Sequence, residues 1–345
     1  MIEGAERKSA KMLRAAVIGL GWWGRHITQA LRESSRVRAV SAFDPAREAS
    51  KAYADRDGLS LAPSFEAILT DDAIDAVIVA TPHALHETQA LAALAAGKAV
   101  FCEKPLAMSA AAARRILAAA DAKGLVLGVG HERRFEPAME EALTILRSGR
   151  QGKLLHMEAN VSHDGLSKIA AGNWRHSPAD APAGAMTGLG VHLTDLFISF
   201  AGRPVSLRAT TARKTDMPAA EDFISCDLRF ASGATGAVAC LSATPYYGRL
   251  TVFSQDGWLE ARESGNVDRG LPSELVVCDK HGQRTARTFA AAPTVRANID
   301  SWAAAVLGEA PYRFSAAEIL DNARVLEGVV WSSRNGSARV PLDTL

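Results

Sequence analysis

Gly19-Leu20-Gly21-Trp22-Trp23-Gly24 matches the pattern GxGxxG, and its surroundings give the match its weight. The apolar run Leu13 to Ile18 precedes it, and a helical stretch from Arg25 to Arg32 follows it. In such a turn the first glycine permits the tight bend, the second lets the backbone approach a pyrophosphate, and the third lets the helix pack against the strand. The N–H groups at the start of the helix then face the phosphates. We therefore expect Gly19, Gly21, Trp22, Trp23 and Gly24 to bind a dinucleotide; the alternative is an ordinary strand–helix turn.

The rest of the first half alternates buried strands with helices. Ser64 and Ser109 can cap two of the helices, and Gly97 follows another as a helix-ending residue. Uniformly apolar runs separated by helices are typical of a doubly wound parallel sheet, whose ligands lie beyond the carboxyl ends of the strands. The expected strands after the first are Val37 to Phe43, Ile74 to Ala80, Ala99 to Cys102 and Leu125 to Val129.

Asp44 lies 20 residues after Gly24, at the end of the second expected strand. A carboxylate there can accept hydrogen bonds from the adenosine ribose hydroxyls and would repel the 2′-phosphate of NADP. Because Asp44 precedes Pro45, it can also cap the next helix, and the two roles are compatible. We expect NAD as the cofactor, with NADP still open because Arg47 is close enough in sequence to assist a phosphate.

Composition excludes several other classes of protein. With 345 residues, about two domains are expected. A net charge of +1 gives no general attraction to nucleic acid or to an anionic membrane, and no apolar run reaches the length of a membrane helix. The four cysteines form no CxxC pair, so we expect no metal site and reduced thiols in a cytoplasmic protein.

After Phe135 the alternation stops, and shorter strands with alternating polarity follow. Ser232-Gly233 resembles a hairpin turn, and two late stretches, Val295 to Leu307 and Ala316 to Ser333, resemble helices. We therefore expect an α/β fold with a polar, flexible tail over residues 1–12, a Rossmann domain over 13–134, and an α+β domain with a mostly antiparallel open sheet over 135–345. The expected strands of this sheet are Leu154 to Val161, Val205 to Thr211, Phe223 to Phe230, Thr235 to Leu241 and Arg249 to Phe253.

Three segments in the first half resemble the signatures of one family of oxidoreductases. They are ATPHALH (residues 80–86), AGKAVFCEKPLA (residues 96–107) and GHERRFEP (residues 130–137), in the family's order after the glycine turn. On these segments the chain is similar to the Gfo/Idh/MocA family, which contains glucose–fructose oxidoreductase and inositol dehydrogenase. The resemblance covers about the whole chain and implies an open C-terminal sheet that forms homodimer or homotetramer contacts.

The resemblance implies roles for the residues of these segments. Lys104 would lie beside the nicotinamide and the reacting hydroxyl and act in catalysis, with a cis peptide bond to Pro105. An ammonium there favours alkoxide character and can take part in proton transfer. Glu103 would orient Lys104 or reach the nicotinamide ribose. Thr81, Pro82 and His86 would line the cofactor. The alternatives are a surface ion pair at the strand end for Lys104 and a solvent-exposed helix position for His86.

A later segment, AGAMTGLGVHLTD (residues 183–195), resembles the family's GGGxxxDxGxHxxD. His192 aligns with the catalytic histidine of that motif, whose neutral imidazole can accept the substrate proton; the alternative is a structural histidine at the domain interface. Where many relatives have aspartate four residues earlier, this chain has Gly188. Asp195, three residues after His192 on the same helical face, is the first substitute expected, and Glu132 the second.

Substrate contacts are expected from four residues, each of which has an ordinary loop or ion-pair role as the alternative: Arg134, Trp174, Arg175 and Asp195. The expected activity is hydride transfer between nicotinamide and a secondary alcohol of a sugar, cyclitol or related polyol. A cis-dihydrodiol dehydrogenase is a second possibility, because the aspartate is missing and several loop residues are apolar. A non-enzymatic dinucleotide-binding regulator is a third, against which the presence of both Lys104 and His192 argues.

Overall fold

The structure of the protein is a computed structural model that describes residues 12–216 and 221–345. The predicted tail over residues 1–12 therefore lies almost entirely outside the described residues. The first half alternates strands with helices in this order: β1 Leu13–Ile18, α1 Trp22–Leu31, β2 Val37–Phe43, α2 Arg47–Asp57, β3 Ser60–Leu61, α3 Phe65–Leu69, β4 Ala76–Val79, α4 His86–Ala95, β5 Ala99–Cys102, α5 Ala110–Ala122 and β6 Leu127–Val129.

The first six strands form one parallel sheet in the order β3-β2-β1-β4-β5-β6. This is the doubly wound order, in which β2 and β3 lie on one side of β1 and β4 to β6 lie on the other. The change of side leaves a crevice between the carboxyl ends of β1 and β4. All four residues of β4 are buried, as expected of a strand covered on both faces. The Rossmann prediction is confirmed, and so are the caps, since Ser64 and Ser109 each accept a hydrogen bond from a helix N–H.

The second half contains a larger sheet and four more helices within the described residues: α6 Pro137–Arg147, β7 Leu154–Ser162, α7 Val191–Ala201, β8 Pro204–Ala212, β9 Phe223–Phe230, β10 Thr235–Leu241, β11 Tyr247–Ser254, β12 Gly257–Glu263, β13 Ser273–Asp279, β14 Arg284–Phe289, α8 Thr294–Val306, α9 Ala316–Arg334 and β15 Val340–Pro341. The sheet order is β14-β13-β12-β11-β7-β10-β9-β8-β15. Strands β7 and β10 pair in parallel and the other neighbours pair antiparallel.

Helices α6, α7 and α9 cover one face of this larger sheet. The mostly antiparallel α+β prediction is therefore confirmed, including the turn at Ser232-Gly233, where Gly233 adopts φ +87° between β9 and β10. Strands β12, β13 and β14 were not predicted. Polar and apolar residues alternate only weakly in these strands, because polar side chains occur on both faces. Strand β14 is also almost fully exposed.

One helix contradicts the predicted domain boundary. Residues 135–345 were assigned to the second domain, yet α8 packs on the first sheet. Trp302 of α8 is fully buried, contacts Phe101 of β5 with ring centroids 5.6 Å apart, and donates a hydrogen bond to the Val126 carbonyl at 3.0 Å. A Cβ at Gly128 would lie 2.7 Å from this indole, so the glycine in β6 makes room for it. The chain thus returns to the first domain before α9.

Candidate active site

The glycine turn joins β1 to α1 at the switch point of the first sheet. Gly19 has φ +94°, and a Cβ there would lie 2.7 Å from the Ala80 carbonyl oxygen; a Cβ at Gly24 would lie 1.8 Å from the Gly19 carbonyl oxygen. Around Gly21, by contrast, there is open space. Helix α1 has no side-chain cap, so its first N–H groups are available to a ligand. The turn therefore has the open backbone and the free N–H groups that binding of a pyrophosphate requires.

Asp44 makes two main-chain contacts that fix the edge of this crevice. Its Oδ2 accepts from the Leu20 N–H at 2.7 Å, and its Oδ1 accepts from the Ala46 N–H at 2.8 Å. The helix-capping role considered from sequence is absent, because α2 begins after Ala46 without a side-chain cap and Asp44 bonds the Ala46 N–H instead. Each carboxylate oxygen keeps a further lone pair for a ribose hydroxyl. The Arg47 guanidinium bonds the carbonyls of Leu61 and Ala62 at 3.0 and 2.7 Å. These bonds tie the guanidinium to the main chain after β3.

The two tryptophans of the turn differ in environment. Trp22 is 61% exposed, which is unusual for so large an apolar side chain. Trp23 is half-buried and stacks on His26 with ring centroids 5.0 Å apart. Trp22 is therefore free to cover a ligand bound over the turn. Trp23 instead packs beside the turn and lines the crevice.

His86 is fully buried, which excludes the solvent-exposed alternative. Its Nδ1 lies 2.8 Å from the Pro105 carbonyl oxygen and its Nε2 lies 3.0 Å from that of Thr81. Both ring nitrogens therefore face main-chain oxygens, and neither is left to hydrogen-bond a cofactor. The imidazole instead ties the Thr81-Pro82 segment to the segment after Lys104.

Lys104 follows β5, and its peptide bond to Pro105 is cis, as the resemblance implied. Its Nζ donates to the Gly188 carbonyl oxygen at 2.9 Å, so the residue joins the two domains rather than forming a surface ion pair. Burial lowers the pKa of Lys104, while the nearby carboxylates of Glu132 and Glu103 raise it. The net effect is a lowered pKa, the direction that favours proton transfer by a lysine.

Glu103 precedes Lys104 in the chain and is buried. Burial, helped by the nearby Glu132 carboxylate, raises the pKa of Glu103 to about 8. Its Oε2 accepts from the Lys104 main-chain N–H at 3.2 Å. A Cβ at Gly130 would lie 2.5 Å from the same oxygen, so that glycine provides the space for the carboxyl group. These contacts favour the orienting role for Glu103 over contact with the nicotinamide ribose.

His192 lies in the first turn of α7, directly after a single π-helical turn over Met186–Gly190 that contains Gly188. Burial lowers the pKa of His192 well below its ordinary value, and the cations Lys104 and Arg133 act in the same direction. The imidazole is therefore neutral near pH 7, the form that accepts a proton. Its Nε2 lies 3.9 Å from Glu132 Oε1, and its Nδ1 is buried without a hydrogen-bond partner among the residues that the structure describes.

Asp195 does not contact His192, contrary to the first choice made from sequence. Both its oxygens accept from Arg134 at 2.7 Å in a bidentate ion pair, and both side chains are buried. Arg134 also donates to Glu318 of α9 at 3.0 Å and stacks over the Phe314 ring. Arg134 and Asp195 thus form a buried ion pair, which is the alternative to substrate contact that the sequence left open for both residues.

Trp174 and Arg175 lie in a loop that folds over the end of β4. The Trp174 ring meets His83 edge-on with centroids 4.7 Å apart, and the Arg175 guanidinium lies 4.2 Å above the Trp174 ring. Burial lowers the pKa of Arg175, and within residues 12–216 and 221–345 it forms no ion pair. Its donors remain available to an oxygen of a substrate.

Two residues that support the site were not identified from sequence. His131 forms an edge-on contact with His192 at 5.5 Å, and its Nε2 lies 3.0 Å from the side-chain amide of Asn322 in α9. Burial lowers the pKa of His131 to about 4. His131 could have been identified from the sequence, because it follows Gly130 in a segment that resembles the family signature. Nothing in the sequence indicated Asn322, which lies 191 residues from His131.

In the part of the chain that the structure describes, no three His, Cys, Asp or Glu side chains are arranged to hold a metal ion. Over the same residues, no helix combines the length and the apolar character needed to cross a membrane.

The sequence matches two family models. Residues 13–131 match the oxidoreductase family with an NAD-binding Rossmann fold called GFO_IDH_MocA, and residues 139–260 match the GFO/IDH/MocA C-terminal domain. A D-xylose 1-dehydrogenase (NADP(+)) from Haloferax volcanii is 31% identical over 310 residues, which are 88% of this chain and 91% of that protein. A trans-1,2-dihydrobenzene-1,2-diol dehydrogenase from Sus scrofa is 27% identical over 276 residues, 78% of each chain.

A solved structure of levoglucosan dehydrogenase with NADH and levoglucosan has the same fold, with a TM-score of 0.85 over 96% of this chain and all of that one, at 21% identity. Both domains match models of the same family. The D-xylose 1-dehydrogenase is more than 30% identical over most of both chains. The protein is an oxidoreductase that belongs to the GFO/IDH/MocA family.

Proposed function

We propose that the protein transfers a hydride between the nicotinamide of NAD(H) and a secondary alcohol of a sugar, cyclitol or related polyol. The observation that supports this most strongly is the contact of Lys104 with Gly188, because it brings the ammonium next to the turn that carries His192. A cation and a neutral imidazole on one side of a crevice are the two groups that alcohol oxidation needs. The named relatives act on compounds of this kind.

In the proposed reaction Lys104 and His192 have different roles. In alcohol oxidation Lys104 donates a hydrogen bond to the substrate oxygen and stabilises its alkoxide character, while His192 takes the hydroxyl proton. The bound nicotinamide supplies the hydride acceptor. Trp174 and Arg175 close the open side and contact the remaining hydroxyls.

The cofactor site is proposed from the turn and its flanks. The pyrophosphate lies over Gly21 at the start of α1, Trp22 covers it, and Asp44 receives the ribose hydroxyls. Thr81 and Pro82 line the nicotinamide half. NAD is preferred over NADP, since Arg47 is bonded to carbonyl groups.

A dihydrodiol is the second candidate substrate. Gly188 leaves open space where an acidic side chain would bind a polar sugar group, and the Trp174 ring offers an apolar wall. The similarity to a dihydrodiol dehydrogenase agrees with this alternative.

The test is NADH formation by the purified protein with separate panels of sugars, cyclitols and dihydrodiols, with cofactor binding measured in parallel by protein fluorescence. We expect turnover with at least one polyol, and turnover lower on the order of 10²-fold or more in Lys104→Met. Cofactor binding without turnover on every panel would instead favour a non-enzymatic regulator.

We also propose a cytoplasmic homodimer or homotetramer. The four cysteines are buried and free, which favours a reducing compartment. The face of the larger sheet away from α6, α7 and α9 exposes half-buried apolar side chains, including Phe253 and Trp258, which favours self-association.

A further inference from the structure

We infer that the substrate is an acidic polyol whose carboxylate binds Arg175, an inference that rests on the proposed function and narrows its substrate class. Arg175 lies in the short turn Trp174–His176 and is half-buried. Its main-chain N–H donates to Asn173 Oδ1 at 3.0 Å. Its guanidinium has no hydrogen bond and no ion pair within the part of the chain that the structure describes.

Aromatic contacts hold this guanidinium at the crevice. It lies 4.2 Å above the Trp174 ring, which meets His83 edge-on with centroids 4.7 Å apart. His83 begins the short turn after β4, and its Nδ1 lies 2.7 Å from the Asp180 carbonyl oxygen, so the loop is attached there at a second point. Burial lowers the pKa of His83 and of Lys104, and the Arg175 charge acts in the same direction on both. The guanidinium is therefore near the group proposed to bind the reacting alcohol.

The carboxyl groups near Lys104 do not balance the positive charge of this part of the crevice. Burial raises the pKa of Glu103 to about 8, so this group is mostly protonated near pH 7. Burial also raises the pKa of Glu132, against the opposing effect of Lys104 and Arg133. Gly188 stands where the resembled motif has aspartate; it is exposed, and a Cβ there would meet no atom within 4 Å. The crevice therefore favours a substrate that brings its own negative charge.

A carboxylate fits this site better than a hydroxyl or a phosphate ester. A substrate that closes over Arg175 removes its guanidinium from water, and a hydroxyl accepts its hydrogen bonds without balancing its charge. A carboxylate accepts two parallel N–H bonds and neutralises the charge. The roughly two charges of a phosphate ester would exceed what one guanidinium balances, because Lys104 is directed to the reacting oxygen and Arg133 is paired with Glu263.

The kinetic test measures NADH formation with three acids and their neutral counterparts. The pairs are D-glucuronate with D-glucuronamide, D-galacturonate with D-galactose, and D-gluconate with D-glucitol. We expect the wild type to prefer the acid about 10-fold or more in kcat/KM for at least one pair. Arg175→Gln should lower kcat/KM for that acid on the order of 10²-fold, mainly through KM, and lower that of the neutral partner less.

Two further variants separate charge from structure. Arg175→Lys should recover part of the loss, because it restores the charge without the planar pair of donors. Arg334→Gln removes a positive charge from the exposed end of α9 and should keep the wild-type preference. Raising the salt concentration should raise KM for the acid in the wild type and much less in Arg175→Gln.

A binding measurement does not depend on turnover. The same pairs are titrated into the enzyme–NADH complex, and NADH fluorescence reports their binding. Turnover of neutral polyols without preference for an acid, or an acid preference that Arg175→Gln leaves unchanged, would overturn the inference and leave the proposed function standing. Acid binding that Arg175→Gln weakens, in a protein without turnover on any pair, would reject the proposed function alone. Neither turnover nor tighter binding of an acid would overturn both.

Discussion

Lys104 is partly buried, and the hydrogen-bond partner of its ammonium is a main-chain carbonyl rather than a carboxylate. Replacing it by methionine keeps the length and apolar stem of the side chain and removes the charge. Lys104→Met should therefore leave the fold intact and lower kcat on the order of 10²-fold or more. Stopped-flow turnover and NADH fluorescence measure the two effects separately. Near-normal turnover would remove Lys104 from the chemistry, whereas lost NADH binding would assign it to the cofactor.

Asp44 places a negative charge where the 2′-phosphate of NADP would lie, and its two main-chain contacts keep it there. We expect NAD(H) to bind more tightly than NADP(H), and Asp44→Ser to narrow the difference because serine retains a hydrogen bond without the charge. Titrations of both cofactors into wild type and variant measure this. Arg38→Ser, at an exposed position of β2, is the control for a change of charge or size alone. Equal or tighter NADP(H) binding by the wild type contradicts the prediction.

The segment after β6 is joined to α7 and α9 by one buried ion-pair network. Arg134 holds Asp195 of α7 through two hydrogen bonds and Glu318 of α9 through one. Asp195→Asn leaves the guanidinium with a single carboxylate partner inside the protein. We expect it to lower the free energy of unfolding by about 2–4 kcal/mol and to leave the pH dependence of turnover unchanged. Denaturant unfolding and a pH–rate profile test this; a shifted profile would return Asp195 to the proton relay.

The elements that the sequence predicted well are those whose signals are local. Buried apolar runs predicted β1, β4 and β5, since such strands are covered on both faces. Capping serines predicted the starts of α3 and α5. Helix α1 begins three residues earlier than expected because it starts inside the glycine turn.

The contacts that the sequence could not predict are non-local. Arg134 meets Asp195 across 61 residues and Lys104 meets Gly188 across 84, and no periodicity encodes such pairings. The same reason explains why α8 was assigned to the wrong domain. Its amphipathic pattern shows that one face is buried but not which sheet buries it.

At the scale of the whole molecule, helices α6, α7 and α9 all cover the same face of the larger sheet. They leave its other face uncovered. The uncovered face carries small and aromatic side chains around β7 and β10, among them Ala239 and Phe253, beside the charged pair Arg249–Glu158. A mixed apolar and charged surface of this kind, several strands wide, is suited to a second copy of the chain.

Ala239→Arg tests this face directly. In the monomer the residue lies in the middle strands of the sheet and is half-buried, so a long side chain can extend into solvent without disturbing the core. In a face-to-face dimer the same guanidinium would be buried without a partner, which costs several kcal/mol. We expect the wild type to elute as a dimer or tetramer and Ala239→Arg as a smaller species, measured by light scattering after size exclusion. Ala122→Arg, at the exposed end of α5, adds the same side chain away from the sheet and should keep the wild-type mass. An unchanged mass in Ala239→Arg with intact thermal stability would place the assembly interface elsewhere, and a monomeric wild type would remove it.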